Sequence, residues 1–519
     1  MELQLVLVKM LFSLALLGFL SLFLHLYRVL LLNPQLLRSR LEKQRIKGPP
    51  PTFIFGNVPE MKRMQNSKST ALVASNKEKL SHDFASTIFP CFEKWRKEYG
   101  DLFTFSLGNL QILYVTNPYL AKEMTLCSSM SLGKPGYLQY EFGPLLGRGI
   151  LTSNGSIWSH QRKTIAPELS MDKVKGMVNL MVESASSVVK EWQGRIQSEG
   201  GVAEIGVDED MTRISALIIS KFMFGSSFSK ALDIISKLKD IQNALTMSTI
   251  LKGIPGYRYI PTENNRKIWK LEKEVRSMIL KIVKERVAED KPGQDLLQMI
   301  IEGAEDGSLG GPYTAEDFIL DNCKNVYFAG LETTAITALW CFILLASHPE
   351  WQDRCRAEIL EISGGCLPDV DMLRKMKTTT MVIQEVLRLY PPSLLLSREV
   401  LQDIKLGEIL VPKSVNIWLS VHALHRDPEL WGPDACNFNP ERFANGVAGA
   451  CKLPQTYLAF GMGSRICAGQ NFAMMELKII LALILSNFSF SLSPKYHHSP
   501  VFKIIIQPGD EVKLIVRKV

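Results

Sequence analysis

The sequence predicts a mainly α-helical protein with small β-sheets, built as one large domain behind a single N-terminal transmembrane helix. Three observations predict it. Residues 10–27 carry no charge and are mostly Leu, Phe and Ala; at ~1.5 Å per residue they span about 27 Å, near the hydrocarbon thickness of a bilayer. Segments 171–195, 208–224, 266–288, 314–347 and 350–362 repeat apolar residues at helical spacing, while only 101–117, 397–420 and 501–517 read as strands. After residue 51 no linker, repeat or low-complexity tract divides the chain.

Residues 3–27 form the anchor, with Lys9 able to snorkel. The apolar run ends at Tyr27-Arg28 and a basic stretch instead of a small-x-small cleavage site, so it reads as an uncleaved anchor and not a signal peptide. Residues 28–51 read as a basic, proline-rich linker. Arg28, Arg38, Arg40, Lys43, Arg45 and Lys47 face a lone acid, Glu42, and Gly48-Pro49-Pro50-Pro51 cannot be helical. That positive flank places residues 28–519 in the cytosol. The remaining domain, 52–519, follows. The chain's net charge is +8, most of it in the linker, so the domain surface is nearly balanced and has no basic tract; this argues against a nucleic-acid partner. The hydrophobic fraction of 46% over 519 residues supports a large core. Gly108-Asn109 sits between two β-rich runs as a hairpin turn. The polar segment 302–313 reads as a loop. Residues 333–347 are apolar but short, with Glu332 at the edge, and read as a buried core helix. The nine cysteines are scattered without CxxC spacing, a pattern of reduced thiols.

Residues 460–469, Phe-Gly-Met-Gly-Ser-Arg-Ile-Cys-Ala-Gly, are the most informative stretch. Glycines and a short alanine around one cysteine let backbone approach a flat ligand. A helix over 471–486 begins just after Cys467, and its N-terminal dipole favours a thiolate there. A thiolate is a soft ligand for iron. Arg465 is placed to meet an anionic group on the same ligand.

With these residues the chain resembles the cytochrome P-450 family of haem-thiolate monooxygenases, over essentially residues 48–519, and its anchor resembles the microsomal type. The resemblance implies haem b with Cys467 as axial ligand of the iron. It also implies an endoplasmic-reticulum membrane location with a cytosolic catalytic domain, and electrons taken from NADPH indirectly, through an NADPH–haemoprotein reductase. The anionic sulfur pushes electron density onto iron and favours O–O cleavage. No Gly-x-Gly-x-x-Gly fingerprint is present to bind a dinucleotide directly.

Other motifs carry less information alone. Glu385-x-x-Arg388 lies in a helix expected over 372–390, but Glu42/Arg45, Glu93/Arg96 and Glu263/Arg266 share its spacing. The resemblance adds Arg442, in Pro440-Glu441-Arg442-Phe443, to a buried structural trio with Glu385 and Arg388. It places Trp158 and Arg162, in Trp158-x-x-x-Arg162, on a haem propionate, with Arg398 as a further partner. The long helix opens at Thr314, a good N-cap, and its centre reads Ala329-Gly330-Leu331-Glu332-Thr333-Thr334. Read alone, this is a packing notch with an incidental acid. In the family resembled, Thr333 holds dioxygen and a water chain, and Glu332 helps deliver protons.

Rival chemistries find no motif: there is no His-Glu-x-x-His, no Gly-x-Ser-x-Gly and no Walker loop. His422 and His425 lack a third ligand nearby and read as structural. The Asn154 and Asn487 sequons are silent on the cytosolic side. Two alternatives remain beside the oxygenase: a haem-thiolate isomerase or dehydratase, and a non-catalytic haem- or sterol-binding membrane protein. Neither needs the Glu332-Thr333 pair. Finer resemblance, in 150–178 and 460–478, is to plant members of the clan that modifies gibberellins and polycyclic terpenoids. It implies an apolar substrate in a pocket lined from about 128–148, 222–255, 322–334, 393–397 and 496–503, either a pentacyclic triterpenoid acid or a gibberellin-type diterpenoid.

Overall fold

The computed structural model describes residues 2–72, 82–247, 257–288, 293, 295–305 and 313–519. The first helix, Glu2–Tyr27, passes through a wider π-turn, Arg28–Leu32, into a second helix, Asn33–Glu42. Pro34 sits just beyond the widening. It has no N–H to donate and its ring crowds the turn before it, which loosens the hydrogen-bond ladder there. The large apolar side chains from Leu3 to Leu24 are half or more exposed, which makes this helix a candidate membrane anchor.

Residues 33–46 differ from the linker expected of them. Leu41 and Ile46 are buried in a core cluster with Leu113, Val115 and Val411. Arg38 donates to the carbonyls of Gly48 (2.9 Å) and Pro49 (3.0 Å). Gln44 both donates to and accepts from the backbone of Leu410, at 2.8 Å each way. Leu37 and Leu41, four apart, share one helix face, so the segment is amphipathic and packs on the domain. Gly48–Pro51 lies outside any helix, as its prolines require.

A five-stranded sheet runs, edge to edge, Leu102–Leu107, Leu110–Val115, Asn416–Ser420, Leu395–Val400 and Leu132–Gly133. The first two form the expected hairpin, turning at Gly108 with φ +57°. Leu395–Val400 pairs antiparallel with Leu132–Gly133, setting Leu132 opposite Val400 and Gly133 opposite Glu399. The remaining β-rich sequence forms short strands, including Pro500–Phe502, Ile506–Pro508 and Lys513–Lys518.

Helices make up most of the domain. The longest, Ala315–Ser347, is capped by Thr314, whose hydroxyl accepts the Asp317 N–H at 3.1 Å. It is a core helix and not a second span: its most apolar window is 72% buried within the protein. Gly330 faces helix Asp208–Phe224, where a Cβ would collide with Ile219 Cδ1. The glycine is therefore a packing notch whatever else the groove does. The helix expected over 372–390 is two, Val370–Lys375 and Lys377–Leu389. Glu358, on helix Pro349–Ser363, accepts the N–H groups of Thr378 (2.6 Å) and Thr379 (2.9 Å), so the second helix starts on a carboxylate that another helix supplies. Helix Leu296–Glu305 takes in residues 302–305 of the expected loop; 306–312 lie outside the described residues, as do 248–255 of the expected pocket wall. All nine cysteines are free thiols, as their spacing suggested.

Helix Gln470–Asn487 carries Glu476 into the core, fully buried. The Ser215 hydroxyl donates to its Oε1 at 2.6 Å, while Oε2 has no partner. Burial pushes this carboxyl up from 4.5 to about 8. A raised acid pKa means the folded state holds a proton that the unfolded chain has lost, so stability declines as pH climbs from about 4.5 to about 8. Glu476→Gln, which cannot ionise, is expected to flatten that decline by up to a few kcal/mol, at about 1.4 kcal/mol per unit. Urea midpoints at pH 5.5 and pH 8 check it; an unchanged slope would place the proton elsewhere.

Candidate active site

The segment Phe460–Gly469 folds into a loop closed by the Cys467 N–H, which donates to the Phe460 carbonyl at 2.8 Å. Gly461 and Gly463 take φ of +81° and +59°, and a Cβ on Gly463 would lie 2.6 Å from the Thr125 carbonyl oxygen. Only glycine satisfies both demands. Helix Gln470–Asn487 starts three residues past Cys467. Cys467 is accessible on one side, yet burial on the others pushes its thiol up, against the pull of the Gly469 N–H and Arg162. The helix start expected to favour a thiolate is present but does not outweigh burial; a bound metal cation would, since coordination deprotonates a thiol outright.

Trp158 and Arg162 share one face of helix Gly155–Ile165. Arg465 lies over the Trp158 ring at 4.0 Å, and donates to the Ser153 carbonyl (2.9 Å) and to Asn154 Oδ1 (2.7 Å). Arg162 donates to the Ile466 carbonyl at 2.8 Å, tying this helix to the cysteine loop. Arg398 is 3% exposed and donates only to the neighbouring Ser397 carbonyl. The strand ends where Gly133 pairs with Glu399, and the next residue, Lys134, lies near Arg398 and Arg465. Burial and the nearby charges of Arg398 and Arg465 drive the Lys134 ammonium well below the usual lysine range. Burial lowers Arg398 to about 10, and burial with Arg398 and Arg162 lowers Arg465 to about 9. Among the described residues none of these four cations has a carboxylate at ion-pair distance; Glu399, the nearest in sequence, accepts the Gly136 N–H instead. Sequence reasoning placed residues 133–136 in the pocket wall and missed Lys134. What brings it there is the pairing of strand Leu132–Gly133 with Leu395–Val400, which no local motif carries.

In the long helix the Thr333 hydroxyl donates to the Ala329 carbonyl at 2.6 Å, and Thr337 donates to the Thr333 carbonyl at 2.7 Å. Glu332 turns toward helix Phe228–Met247, lining a small cavity with Lys239 and Gln242. Burial raises its pKa, with Lys239, Gln242 and Lys503 acting against that rise. Thr334 is 2% exposed and faces into the packing.

Glu385 and Arg388 are fully buried and paired bidentately at 2.7 Å. Arg388 also donates to the carbonyls of His425, Ala435 and Asn437. Arg442 approaches Glu385 only to 3.6 Å, beyond hydrogen-bond reach. Its close partners are Asp434 and the Trp431 carbonyl, so it borders the pair more than it completes it. His425 joins the Arg388 carbonyl (2.9 Å) to the Leu458 N–H (2.8 Å), the structural role expected of it.

The sequence model of the family Cytochrome P450 matches residues 76–515. The chain belongs to the cytochrome P450 family. Cytochrome P450 714C2 of Oryza sativa subsp. japonica is 51% identical, covering 96% of each chain. Cytochrome P450 714B3 of Zea mays is 45% identical over 99% of this chain and 96% of its own, and cytochrome P450 714A2 of Arabidopsis thaliana 43% over 98% of both. The crystal structure of the cytochrome P450DA heme domain superposes with a TM-score of 0.70 at 24% identity, covering 82% of this chain and 91% of that one, which shows the common fold. As a cytochrome P450 the chain is a monooxygenase that uses haem iron held by a cysteine thiolate and electrons from a reductase. Its residues fit that group. A sulfur donor stands at the mouth of a glycine-cleared loop. Near it are Arg162, Arg398 and Arg465, which have no carboxylate at ion-pair distance among the described residues, the complement of a planar iron cofactor edged with two carboxylates.

Proposed function

We propose that this cytochrome P450 hydroxylates an unactivated C–H bond of a polycyclic terpenoid, with Cys467 ligating the haem iron. The observation that carries the reading is the joining of the Cys467 loop to helix Gly155–Ile165, by Arg465 over the Trp158 ring and by Arg162 on the Ile466 carbonyl. Haem, when bound, supplies the iron at which dioxygen is reduced and cleaved. The chain's own residues do the rest. Trp158, Arg162, Arg398 and Arg465 hold the anionic edge. The Thr333 hydroxyl spends its proton on Ala329, so toward the groove it is an acceptor that orients water. Glu332, whose affinity for a proton is raised by burial, is the carboxyl that passes protons inward. This relay separates an oxygenase from an isomerase, which needs no protons from solvent.

The anchor 3–27 supports an endoplasmic-reticulum location, with the domain 52–519 on the cytosolic side beside its NADPH–haemoprotein reductase. For the substrate, the resemblance to terpenoid-modifying plant members supports either a pentacyclic triterpenoid acid or a gibberellin-type diterpenoid. Reductase-supplied microsomes fed a panel of both classes test it. Hydroxylated product from neither class, with product from an unrelated apolar substrate, would overturn the terpenoid assignment.

Thr333→Ala is expected to keep haem and substrate binding while NADPH use continues, hydrogen peroxide accumulates and product falls about ten- to a hundredfold, the low end of a general-acid contribution. Thr334→Ala, about 100° round the helix and packed away from the groove, is expected to be milder. Full coupling of NADPH to product in Thr333→Ala would remove Thr333 from the relay.

A further inference from the structure

We propose that Asp321, Asn322 and Asn325 are positioning residues that set the selectivity of the pocket, by clamping the segment Leu146–Leu151 onto the long helix. The inference deepens the proposed function and rests on reading Leu145, with the middle of that helix, as pocket wall.

The segment does not complete its own hydrogen bonding. The N–H groups of Gly147, Gly149, Thr152 and Ser153 close on the nearby carbonyls of Gly143, Leu146 and Gly149. Those of Arg148, Ile150 and Leu151 go to the long helix instead. Asp321 Oδ2 accepts the Arg148 N–H at 2.8 Å, Asn322 Oδ1 the Ile150 N–H at 3.2 Å, and Asn325 Oδ1 the Leu151 N–H at 2.9 Å. Asn325 Nδ2 donates back to the Leu146 carbonyl at 2.6 Å, so one amide grips both ends of the segment. The clamping side chains are themselves held by their own helix. Asn322 donates to the Phe318 carbonyl (2.9 Å), Asn325 also to the Asp321 carbonyl (2.7 Å), and Lys324 pairs with Asp321 at 3.0 Å. Asn322 and Asn325 are fully buried, so water does not stand in for a lost partner. The approach is close: a Cβ on Gly147 would stand 1.9 Å from Asp321 Oδ1, and one on Gly149 2.3 Å from Asn325 Nδ2.

Both ends of the clamped segment lead to the site. Leu145, just before it, lines the cavity at Glu332 with Tyr327, Phe328 and Leu331. Ser153, just after it, gives its carbonyl to Arg465. One helix therefore grips the wall and also carries Glu332 and Thr333. The gap between Leu145 and the groove is fixed by side chains that need not touch substrate, and a small error in such a gap is felt strongly at the reacting centre.

The test uses ferric holoenzyme and two azoles, imidazole and phenylimidazole, with dissociation constants read from the Soret shift. The first is too small to reach the wall, whereas the second carries a ring that packs on it. Hydrogen exchange over 146–151 is the other readout. Asn325→Leu is expected to speed exchange of the Leu151 amide about tenfold, roughly the worth of one hydrogen bond, and to weaken phenylimidazole relative to imidazole by about the same factor. Gly149→Ala pushes the segment off Asn325 while every helix side chain is kept. It is expected to act alike, and it decides the matter where Asn325→Leu does not fold. Leu145→Ala is the reference for the wall itself. If Leu145→Ala shifts the azole ratio while the clamp variants speed exchange without shifting it, the contacts are only structural and the inference fails. Unchanged exchange in both clamp variants overturns it too, because the segment is then held by something else. If Leu145→Ala also leaves the ratio unchanged, the reading of Leu145 as pocket wall fails with it.

Discussion

Substituting Cys467 by serine is expected to abolish the haem-thiolate state. The reduced carbon-monoxide complex should lose its long-wavelength Soret band, and hydroxylation should fall to background. A hydroxyl is a harder and far less acidic donor than a thiol, so it neither binds iron as an anion near neutrality nor pushes electron density onto it. The loop itself should survive. Its shape is set by the Cys467 N–H bond to Phe460 and by the positive φ of Gly461 and Gly463, none of which involves the sulfur. Any remaining haem should therefore be held by the cations alone and leave more readily. An unchanged Soret band in Cys467→Ser would remove this cysteine as the ligand.

Glu385→Ala is expected to have the largest effect on stability. It strips a fully buried guanidinium of its bidentate carboxylate and leaves Arg388 with three carbonyls and no anion. Breaking such a pair costs about 3–5 kcal/mol, a large share of the roughly 5–15 kcal/mol that holds a domain together. Arg442→Ala should cost less, about 1.5–3 kcal/mol for lost charge-assisted hydrogen bonds, because Asp434 is partly exposed and water can take the place of Arg442. Both losses should appear as a lower yield of haem-bound protein and a lower urea midpoint, with turnover per haem little changed. Normal yield with selectively lost turnover would place the pair in the chemistry instead.

What the sequence disclosed was whatever lies close together along the chain. The loop around Cys467, the Trp158–Arg162 face, the Thr314 cap and the Gly108 hairpin each fit within a dozen residues, and each stands where its motif put it. Features set by distant partners stayed hidden. The break at Met376 depends on Glu358 reaching across from another helix. The preference of Arg442 for Asp434 over Glu385 is a matter of ångströms in a folded loop. Lys134 comes near Arg398 because strand Leu132–Gly133 pairs with Leu395–Val400, and Asn154 looked like a silent sequon until its amide was seen between the Lys134 backbone and Arg465. The basic stretch after the anchor looked like a tether by composition, because its contacts with Leu410 and the Gly48–Pro49 carbonyls lie outside its own periodicity.

That stretch has a mechanical consequence. From Leu3 to Glu42 the helix runs for 40 residues, about 60 Å, or roughly twice the hydrocarbon thickness of a bilayer. Were its first half to lie in lipid, its second half would stand clear as a post bolted to the domain by Leu41, Ile46 and Arg38. A ball on a string could meet the bilayer at any angle, but a domain on a post inherits the tilt of its mast. Hydrophobic mismatch, which a single span relieves by leaning, would here lean the whole catalytic body with it. In that placement bilayer thickness would become a variable of the enzyme, setting the depth from which an apolar substrate is collected.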